Sequence, residues 1–203
     1  MGLLITFEGI DGSGKSTQLQ MLQDRLRSIG YKVVTTREPG GTRLGERVRE
    51  ILLHEDHPIS EWAEFFLYAA SRAQLARQVI QPALNSGAIV LCDRYIDSSM
   101  AYQGYGLGMP LDALRRVNAW ATEDVKPDLT LLLDLQPELA LQRRSSIQQD
   151  RIEQRKLDFH RRVRDGYLEL ARMDQERVKV IRADQPVEAV AQEIERYVLD
   201  RLH

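Results

Sequence analysis

Short apolar segments alternate with longer amphipathic segments along this chain of 203 residues. The apolar segments are nearly continuous in Val, Leu and Ile, which is typical of strands that are covered on both faces. They predict strands at residues 3–7, 32–36, 88–92, 129–135 and 178–181. Between them, apolar residues recur at spacings of three and four, which predicts helices. These helices are expected at residues 15–29, 43–53, 61–84, 111–124, 137–144, 152–172 and 186–202.

The alternation of strands and helices predicts an α/β fold in three layers, a five-stranded parallel sheet flanked by helices. We expect a single domain over residues 1–203, because 43% hydrophobic composition supports one well-buried core and two domains would be a tight fit. Ligands of such sheets bind at the carboxyl ends of the strands. Polar residues that directly follow a strand are therefore the first candidates for a functional site.

Charge is balanced along the chain, with 29% charged residues and a net charge of −2. This balance gives no excess of positive charge of the kind that binds nucleic acid or an anionic membrane. The sequence shows no secretory signal and no apolar run long enough to span a membrane, so we expect a cytoplasmic protein without a nucleic-acid or membrane partner. The single cysteine, Cys92, lies in an apolar run and is expected to be a buried, inert thiol.

Residues 9–16 read GIDGSGKS and fit the phosphate-loop pattern G-x-x-x-x-G-K-[ST] at every fixed position. Glycines let the backbone turn its N–H groups toward a phosphate, and the helix that follows points its positive end at the same anion. Lys15 would reach the outer phosphates of a nucleoside triphosphate, and the Ser16 hydroxyl would reach magnesium. The expected nucleotide-binding residues here are Gly9, Ile10, Asp11, Gly12, Ser13, Gly14, Lys15, Ser16 and Thr17.

The loop contains no arginine, so further cations for a phosphoryl transfer must come from elsewhere. Asp93 and Arg94 follow a predicted strand, where Asp93 is able to hold magnesium through water and Arg94 a second phosphate. The alternative is a surface ion pair. The segment REPGGT, residues 37–42, also follows a strand, and it is either part of the same site or an ordinary turn.

Two other groups of residues have a functional and a plain structural interpretation. Tyr68 and Arg72 lie four apart and share a helix face, so they are able to stack on a flat base and bond its edge. Such a pair is more often a core aromatic residue with a surface arginine, and spacing alone favours that interpretation. Residues 97–103 gather hydroxyls and an amide, which suits sugar and base recognition as well as an ordinary helix start.

Taken together, the motifs resemble one family closely, the bacterial thymidylate kinases among the P-loop nucleoside monophosphate kinases. The matching segments occur in family order over nearly the whole chain: FEGIDGSGKST, TREPGGT, FFLYAASRAQ, LCDRYIDSSMAYQGYG, PDLTLLLDL, DRIEQ, KLDFHRRVRDGYLEL and ADQP. The resemblance implies a P-loop NTPase fold and a dTMP kinase of dTTP biosynthesis. Such an enzyme transfers the γ-phosphoryl group of ATP to dTMP with Mg²⁺. The family also implies a homodimer.

The resemblance assigns substrate contacts residue by residue. Asp11 would approach the deoxyribose 3′-hydroxyl and the metal, Arg49 and Arg94 the dTMP phosphate, and Tyr102 would crowd the sugar 2′ position. Around the base, Tyr68 stands where the family usually has a stacking Phe, and its hydroxyl needs a partner or water. The remaining expected contacts to the acceptor are Glu38 at the border of the pocket and Arg72, Ser99 and Gln103 on the base.

Residues 145–150, SSIQQD, break the hydrophobic periodicity and are either a plain surface loop or part of a lid at residues 143–151. Relatives without an arginine in the phosphate loop supply catalytic arginines from this lid. Here Arg143, Arg144 and Arg151 flank the segment. We expect Arg151 to be catalytic with Lys15 and Arg94, and Arg143 to bind the nucleotide. Many relatives have a lid richer in arginine and glycine, so the arginine that reaches the transferring phosphate stays open.

Two alternative functions remain at this point. One is a kinase for another nucleoside monophosphate, such as UMP or AMP. The other is a nucleotide-dependent switch that hydrolyses ATP or GTP slowly without an acceptor. The switch is disfavoured because the sequence has no guanine-reading N-K-x-D segment, and because its strand-end arginines exceed what one triphosphate needs.

Overall fold

The computed structural model describes residues 2–143 and 150–202. Its strands are β1 (Leu3–Glu8), β2 (Val33–Arg37), β3 (Ile89–Asp93), β4 (Leu129–Asp134) and β5 (Val178–Arg182). Its α-helices are α1 (Lys15–Ser28), α2 (Arg43–His54), α3 (Glu61–Leu75), α4 (Gln81–Asn85), α5 (Ile96–Ser99), α6 (Leu111–Thr122), α7 (Pro137–Arg143), α8 (Leu157–Met173) and α9 (Val187–Leu202). Two π-helical segments, Ala76–Ile80 and Met100–Gly106, follow α3 and α5.

The five strands form one parallel sheet in the order β2-β3-β1-β4-β5, which confirms the predicted fold class. Each predicted strand is present to within about a residue or two at either end. The reason is that the central strands are buried on both faces, so that the apolar runs mark their lengths directly. Phe7, Leu91 and Leu131 are fully buried in the middle of the sheet.

The register brings the carboxyl ends of three strands to one place. Phe7 of β1 and Arg37 of β2 both pair with Asp93, the last residue of β3. The segments that follow these strands are the phosphate loop, the turn after Arg37 and the turn at Arg94. Their shared edge is the position where parallel α/β sheets bind ligands.

Two helix predictions differ from the structure. The helix predicted at residues 61–84 is divided into α3, a π-helical segment and α4, because the π turn keeps the chain helical while it shifts the hydrogen-bond spacing. The helix predicted to start at residue 152 begins instead at Leu157. The Asp150 carboxylate accepts bonds of 2.9 Å from the backbone N–H groups of Ile152 and Glu153 and caps a short turn at residues 151–154. The backbone then becomes extended at Lys156, with a ψ of 151°, so the long helix starts only after it.

Cys92 is buried in β3, and burial raises the pKa of its thiol well above the ordinary value, as expected for an unreactive cysteine.

Over residues 2–143 and 150–202, none of the helices combines the length and the apolar character needed to cross a bilayer.

Candidate active site

The phosphate loop between β1 and α1 depends on glycines at positions that other residues tolerate poorly. Gly9, Gly12 and Gly14 have φ angles of 133°, 86° and 95°, the left-handed region that favours glycine. A Cβ atom on Gly9 would also lie 2.5 Å from the carbonyl oxygen of Leu133. Sequence spacing and backbone conformation therefore agree on a loop that wraps closely around a ligand.

The Lys15 side chain lies inside this loop and is 6% exposed. Its Nζ donates bonds of 3.1 Å to the carbonyl oxygens of Gly9 and Ile10, and it lies 3.9 Å from Asp11. Burial, together with the charge of Arg94, lowers the pKa of Lys15. A phosphate in the loop would oppose this shift, because an anion stabilises the charged ammonium.

Ser16 and Asp93, the two residues expected to hold a metal, are in direct contact. The Ser16 hydroxyl donates a bond of 3.0 Å to Asp93 Oδ2, and the buried Asp93 Oδ1 has no hydrogen-bond partner among the described residues. Hydroxyl and carboxylate oxygens are the ligands that Mg²⁺ prefers, and this ion usually keeps several waters and binds substrate phosphates as well. The pair therefore fits magnesium, although residues 2–143 and 150–202 contain no cluster of three or more His, Cys, Asp or Glu side chains suited to a metal.

Arg94 leaves β3 with a φ of 70°, which is uncommon for a residue other than glycine and recurs at functional sites. Its Nη1 donates to the Gly9 carbonyl at 2.9 Å, and its Nη2 donates to Asp11 Oδ1 at 2.5 Å and to the Tyr102 hydroxyl at 3.2 Å. The guanidinium also lies 5.1 Å from the centroid of the Tyr102 ring. The arginine is thus fixed against the phosphate loop and is not a free surface ion pair.

A buried carboxylate, Glu8, lies behind Arg94 at the end of β1 and is 0% exposed. It accepts bonds from the backbone N–H of Tyr95 at 2.7 Å, the Ser98 hydroxyl at 2.6 Å and the Tyr167 hydroxyl at 2.8 Å. Burial, reinforced by the negative charge of Asp97, raises the pKa of Glu8 from its ordinary 4.5 to about 7.

One cavity, which we call the Tyr68 cavity, opens beside Arg94. It is lined by Asp11, Glu38, Pro39, Arg49, Leu53, Tyr68, Arg72, Arg94, Ser98, Ser99, Tyr102, Gln103, Asp150 and Ile152. The structure therefore brings together in one cavity all nine residues that the sequence predicts to bind the acceptor.

Arg72 is 1% exposed, so the interpretation of this residue as a surface arginine is wrong. Its guanidinium donates to Glu38, to the Ser99 hydroxyl at 2.9 Å, to Asn118 Oδ1 at 2.6 Å and to the Tyr95 carbonyl at 3.1 Å. These contacts occupy its five N–H donors. A bond from Arg72 to a base would therefore require that one of these acceptors be shared or displaced.

Glu38 forms the wall of the cavity beside Arg72. Burial raises the pKa of Glu38, and the charge of Arg72 opposes this shift. Glu38 Oε1 is buried and has no hydrogen-bond partner in the described part of the chain. An oxygen in this state is able to accept a bond from a ligand or from water.

Gln103 and Arg151 meet at a second buried carboxylate, Glu64, which is 0% exposed. Glu64 Oε1 accepts from Gln103 at 3.0 Å, and Oε2 accepts from Arg151 and Arg155 at 2.7 Å each. Arg151 also donates to the Leu52 carbonyl at 2.9 Å. The guanidinium of Arg151 thus binds α2 and α3 in this structure, and its catalytic role stays a prediction.

A second cavity, the phosphate-loop cavity, also has Arg94 in its lining. It is lined by Asp11, Gly12, Gly14, Lys15, Ser16, Thr17, Arg37, Glu38, Arg49, Asp93, Arg94, Arg143 and Glu153. Arg143 donates to the Ala183 carbonyl at 3.0 Å and lies 3.5 Å from the Gly12 carbonyl oxygen. Arg144 and most of the predicted lid lie outside the described residues. The two cavities share Asp11, Glu38, Arg49 and Arg94.

The fold and the site together define a P-loop kinase, with a phosphate loop, a Ser–Asp pair whose oxygens suit a divalent cation, and two cavities that share part of their lining. A sequence profile of thymidylate kinase matches residues 7–194. The chain belongs to the thymidylate kinase family and is a dTMP kinase, an enzyme that transfers the γ-phosphoryl group of ATP to dTMP.

Similar proteins cover the chain from end to end. A thymidylate kinase of Exiguobacterium sp. is 53% identical, and the match covers 99% of this chain and 96% of that protein. The thymidylate kinase of Deinococcus radiodurans is 52% identical over 100% of this chain and 98% of its own. The solved structure of thymidylate kinase from Ehrlichia chaffeensis has a TM-score of 0.81 and 35% identity, and the match covers 97% of this chain and 98% of that one.

Sequence reasoning missed four buried groups behind the site, which are Glu8, Glu64, Asn118 and Tyr167, and it named Ser98 only as part of residues 97–103. Glu8 alone carried a local signal, because a carboxylate that ends an apolar strand directly before the phosphate loop must lie at the ligand edge. Tyr167 has only the helical spacing of a core residue. Its contact with Glu8 joins residues 159 positions apart.

We expect the raised pKa of Glu8 to make the protein less stable as pH rises from about 5 to about 8. Below 4.5 the carboxyl is protonated in both folded and unfolded chains, whereas between 4.5 and about 7 only the folded chain holds the proton. Between pH 5 and pH 8, the free energy of unfolding of wild type should fall by on the order of 2 to 3 kcal/mol more than that of Glu8→Gln. Urea unfolding of both proteins at pH 5.5, 6.5, 7.5 and 8.0 measures the difference. A difference that does not change with pH would contradict the shift.

Proposed function

We propose that ATP occupies the phosphate-loop cavity and dTMP the Tyr68 cavity, so that transfer takes place where the two cavities meet. The observation that supports this arrangement is the shared lining, in which Asp11 and Arg94 face both cavities. In-line transfer requires the acceptor oxygen to approach the γ-phosphorus from the side opposite the leaving ADP. A pair of adjoining cavities with one common wall provides such an approach.

On the donor side, the backbone N–H groups of the loop and the Lys15 ammonium would hold the β- and γ-phosphates. Ser16 and Asp93 would hold Mg²⁺, which neutralises the charge on the phosphate oxygens when it is bound. Arg143 lies near the Gly12 carbonyl and would add a cation at the same phosphates. The loop without an arginine thus gains positive charge from α7.

On the acceptor side, Arg94 would bind the dTMP phosphate with Arg49 nearby, and Asp11 would accept a bond from the 3′-hydroxyl. Tyr68 would stack on thymine, and Tyr102 would exclude a 2′-hydroxyl. The pocket edge and the base would be contacted by Glu38, Arg72, Ser99 and Gln103. All of these side chains line the Tyr68 cavity.

No general base is required for this reaction. The second pKa of a phosphate monoester is about 6, so the attacking oxygen of dTMP is largely ionised at neutral pH. Catalysis then consists of positioning and charge stabilisation, supplied by Lys15, Arg94 and a further arginine. The oxygen of dTMP forms the new bond to the γ-phosphorus, the bond to the β,γ-bridging oxygen breaks, and the products are dTDP and ADP.

An acceptor panel tests the assignment of the two cavities. ADP release with ATP and Mg²⁺ should be strongly stimulated by dTMP, weakly by dUMP, and little by UMP, dCMP, AMP and GMP. Formation of dTDP should match the ADP released. Release in a blank without acceptor that equals release with dTMP would contradict the proposed role of the Tyr68 cavity.

Replacement of Arg143 and replacement of Arg151 should have different effects on the kinetics. Because Arg143 borders the phosphate-loop cavity and Arg151 binds Glu64, we expect Arg143→Ala to lower kcat by roughly a hundredfold and Arg151→Ala chiefly to raise KM for dTMP. Lys15→Ala serves as the reference for loss of a cation in the phosphate loop and should lower kcat by about a thousandfold or more. Steady-state kinetics with each substrate varied in turn measures both constants. A larger fall in kcat for Arg151→Ala than for Arg143→Ala would support Arg151 as the catalytic arginine.

We also propose a homodimer, and the exposed apolar side chains of α2 and α3 support it. Leu44 and Ile51 are 47% and 43% exposed, and Trp62 and Phe66 on the adjoining helix are 41% and 53% exposed. Neighbouring apolar side chains of this size on a surface are typical of an interface.

The balanced charge and the small-molecule substrates support a further proposal, that the enzyme works in the cytoplasm without a nucleic-acid or membrane partner.

Sedimentation equilibrium at micromolar concentration should give the mass of two chains for wild type. Phe66→Glu should give one chain, since a carboxylate would be buried in the proposed interface. Val180→Glu, at a position 40% exposed on the edge strand β5, is the matched control and should remain dimeric. A monomeric wild type would contradict the proposal.

A further inference from the structure

The Arg94 guanidinium has an anchored end and a ligand-facing end. Nη1 donates to the Gly9 carbonyl at 2.9 Å and to the hydroxyls of Ser98 and Tyr167 at 3.3 Å each. Nη2 donates instead to the Tyr102 hydroxyl and to Asp11, whose side chain is 28% exposed and lines both cavities. A phosphate that displaces or joins Asp11 would bind Nη2, and Nη1 would keep its protein partners.

The two hydroxyls that hold Nη1 are themselves held by Glu8. Ser98 and Tyr167 donate to Glu8 Oε2 at 2.6 and 2.8 Å, and the two hydroxyl oxygens lie 2.8 Å from each other. Each oxygen has two lone pairs, so it is able to accept from Arg94 while its proton is donated to Glu8. Glu8, Tyr167 and Ser98 are 0%, 2% and 9% exposed, so little water is able to replace these bonds. Hydrogen bonds in such a chain strengthen one another in a low-dielectric interior.

Glu8 also fixes the backbone next to Arg94. Its second oxygen, Oε1, accepts from the Tyr95 N–H at 2.7 Å, directly after the residue whose φ is 70°. One carboxylate therefore holds both the strained turn that presents Arg94 and, through two hydroxyls, the anchored end of its side chain. Tyr167 is buried on α8, which packs along the π-helical segment Met100–Gly106, so the tertiary packing holds this hydroxyl in place.

We infer that Glu8 and Tyr167 are positioning residues, which hold the Arg94 guanidinium at the place where it binds the phosphate of the nucleotide acceptor. This inference rests on the proposed role of Arg94. Glu8 and Tyr167 do not line either cavity and would act only through Arg94 and Ser98. Their contribution should therefore be specific to the phosphate of the acceptor and should not extend to its base or sugar.

The test compares binding of dTMP with binding of thymidine, which lacks the phosphate, by isothermal titration calorimetry. Tyr167→Phe keeps the ring and removes only the hydroxyl, and we expect about tenfold weaker dTMP binding with less than about a twofold change for thymidine. Glu8→Gln should act in the same direction. Tyr197→Phe, which removes the hydroxyl of a half-buried tyrosine on α9, is the matched control and should leave both affinities unchanged.

Arg94→Ala separates failure of this inference from failure of the proposed function. If Arg94→Ala removes the preference for dTMP over thymidine and Tyr167→Phe and Glu8→Gln keep it, the positioning role is wrong and the role of Arg94 stands. If Arg94→Ala also keeps the preference, Arg94 does not bind the acceptor phosphate, and both fail. Equal losses for dTMP and thymidine in Tyr167→Phe would indicate a general structural role and would also overturn the inference. Should Glu8→Gln not fold, the volume-conserving Tyr167→Phe decides alone.

Discussion

The structure of this site depends on the pairing of charges that the fold removes from water at the carboxyl ends of β1 and β3. Lys15, Arg94 and Glu8 all lie there, and the exposed fractions of their side chains are 6%, 15% and 0%. An unpaired ion in such a place would cost roughly several kcal/mol, so each charge must have partners that the backbone or a neighbour supplies. The loop carbonyls pair Lys15, Asp11 pairs Arg94, and three donors surround Glu8. Substrate phosphates would therefore bind charged side chains whose positions are already set by their protein partners.

The same constraint applies to the wall of the Tyr68 cavity. Arg72 is almost fully buried and has protein acceptors for its donors, including Glu38 and Asn118. Glu64 joins Gln103 to Arg151, the last residue of the predicted lid, and to Arg155. Side chains with fixed rotamers hold a ligand in one orientation at low entropic cost, which is the form of catalysis expected when no general base is needed.

Much of the fold was predictable because its signals are local. The continuous apolar runs marked the strands, and the helical spacing marked most helices. The exceptions have physical causes. Hydrophobic periodicity does not distinguish a π turn from an α-helix, and the extended backbone at Lys156 separates the short turn after Asp150 from α8. The resemblance to a family indicated nine residues expected to bind the phosphoryl acceptor, and the structure places all nine in one cavity. The spacing of Tyr68 and Arg72 alone favoured a surface position for Arg72, which is buried.

The sequence by itself determined the parallel sheet, the phosphate loop and the identity of the residues at the strand ends, since each follows from spacing within a short segment. Only the tertiary structure decided which buried groups support them. Tyr167 meets Glu8 across 159 positions, Asn118 meets Arg72 across 46, and Arg151 meets Glu64 across 87. Such contacts depend on how helices pack over the sheet, and a side chain that points into this packing has the same local pattern as any core residue.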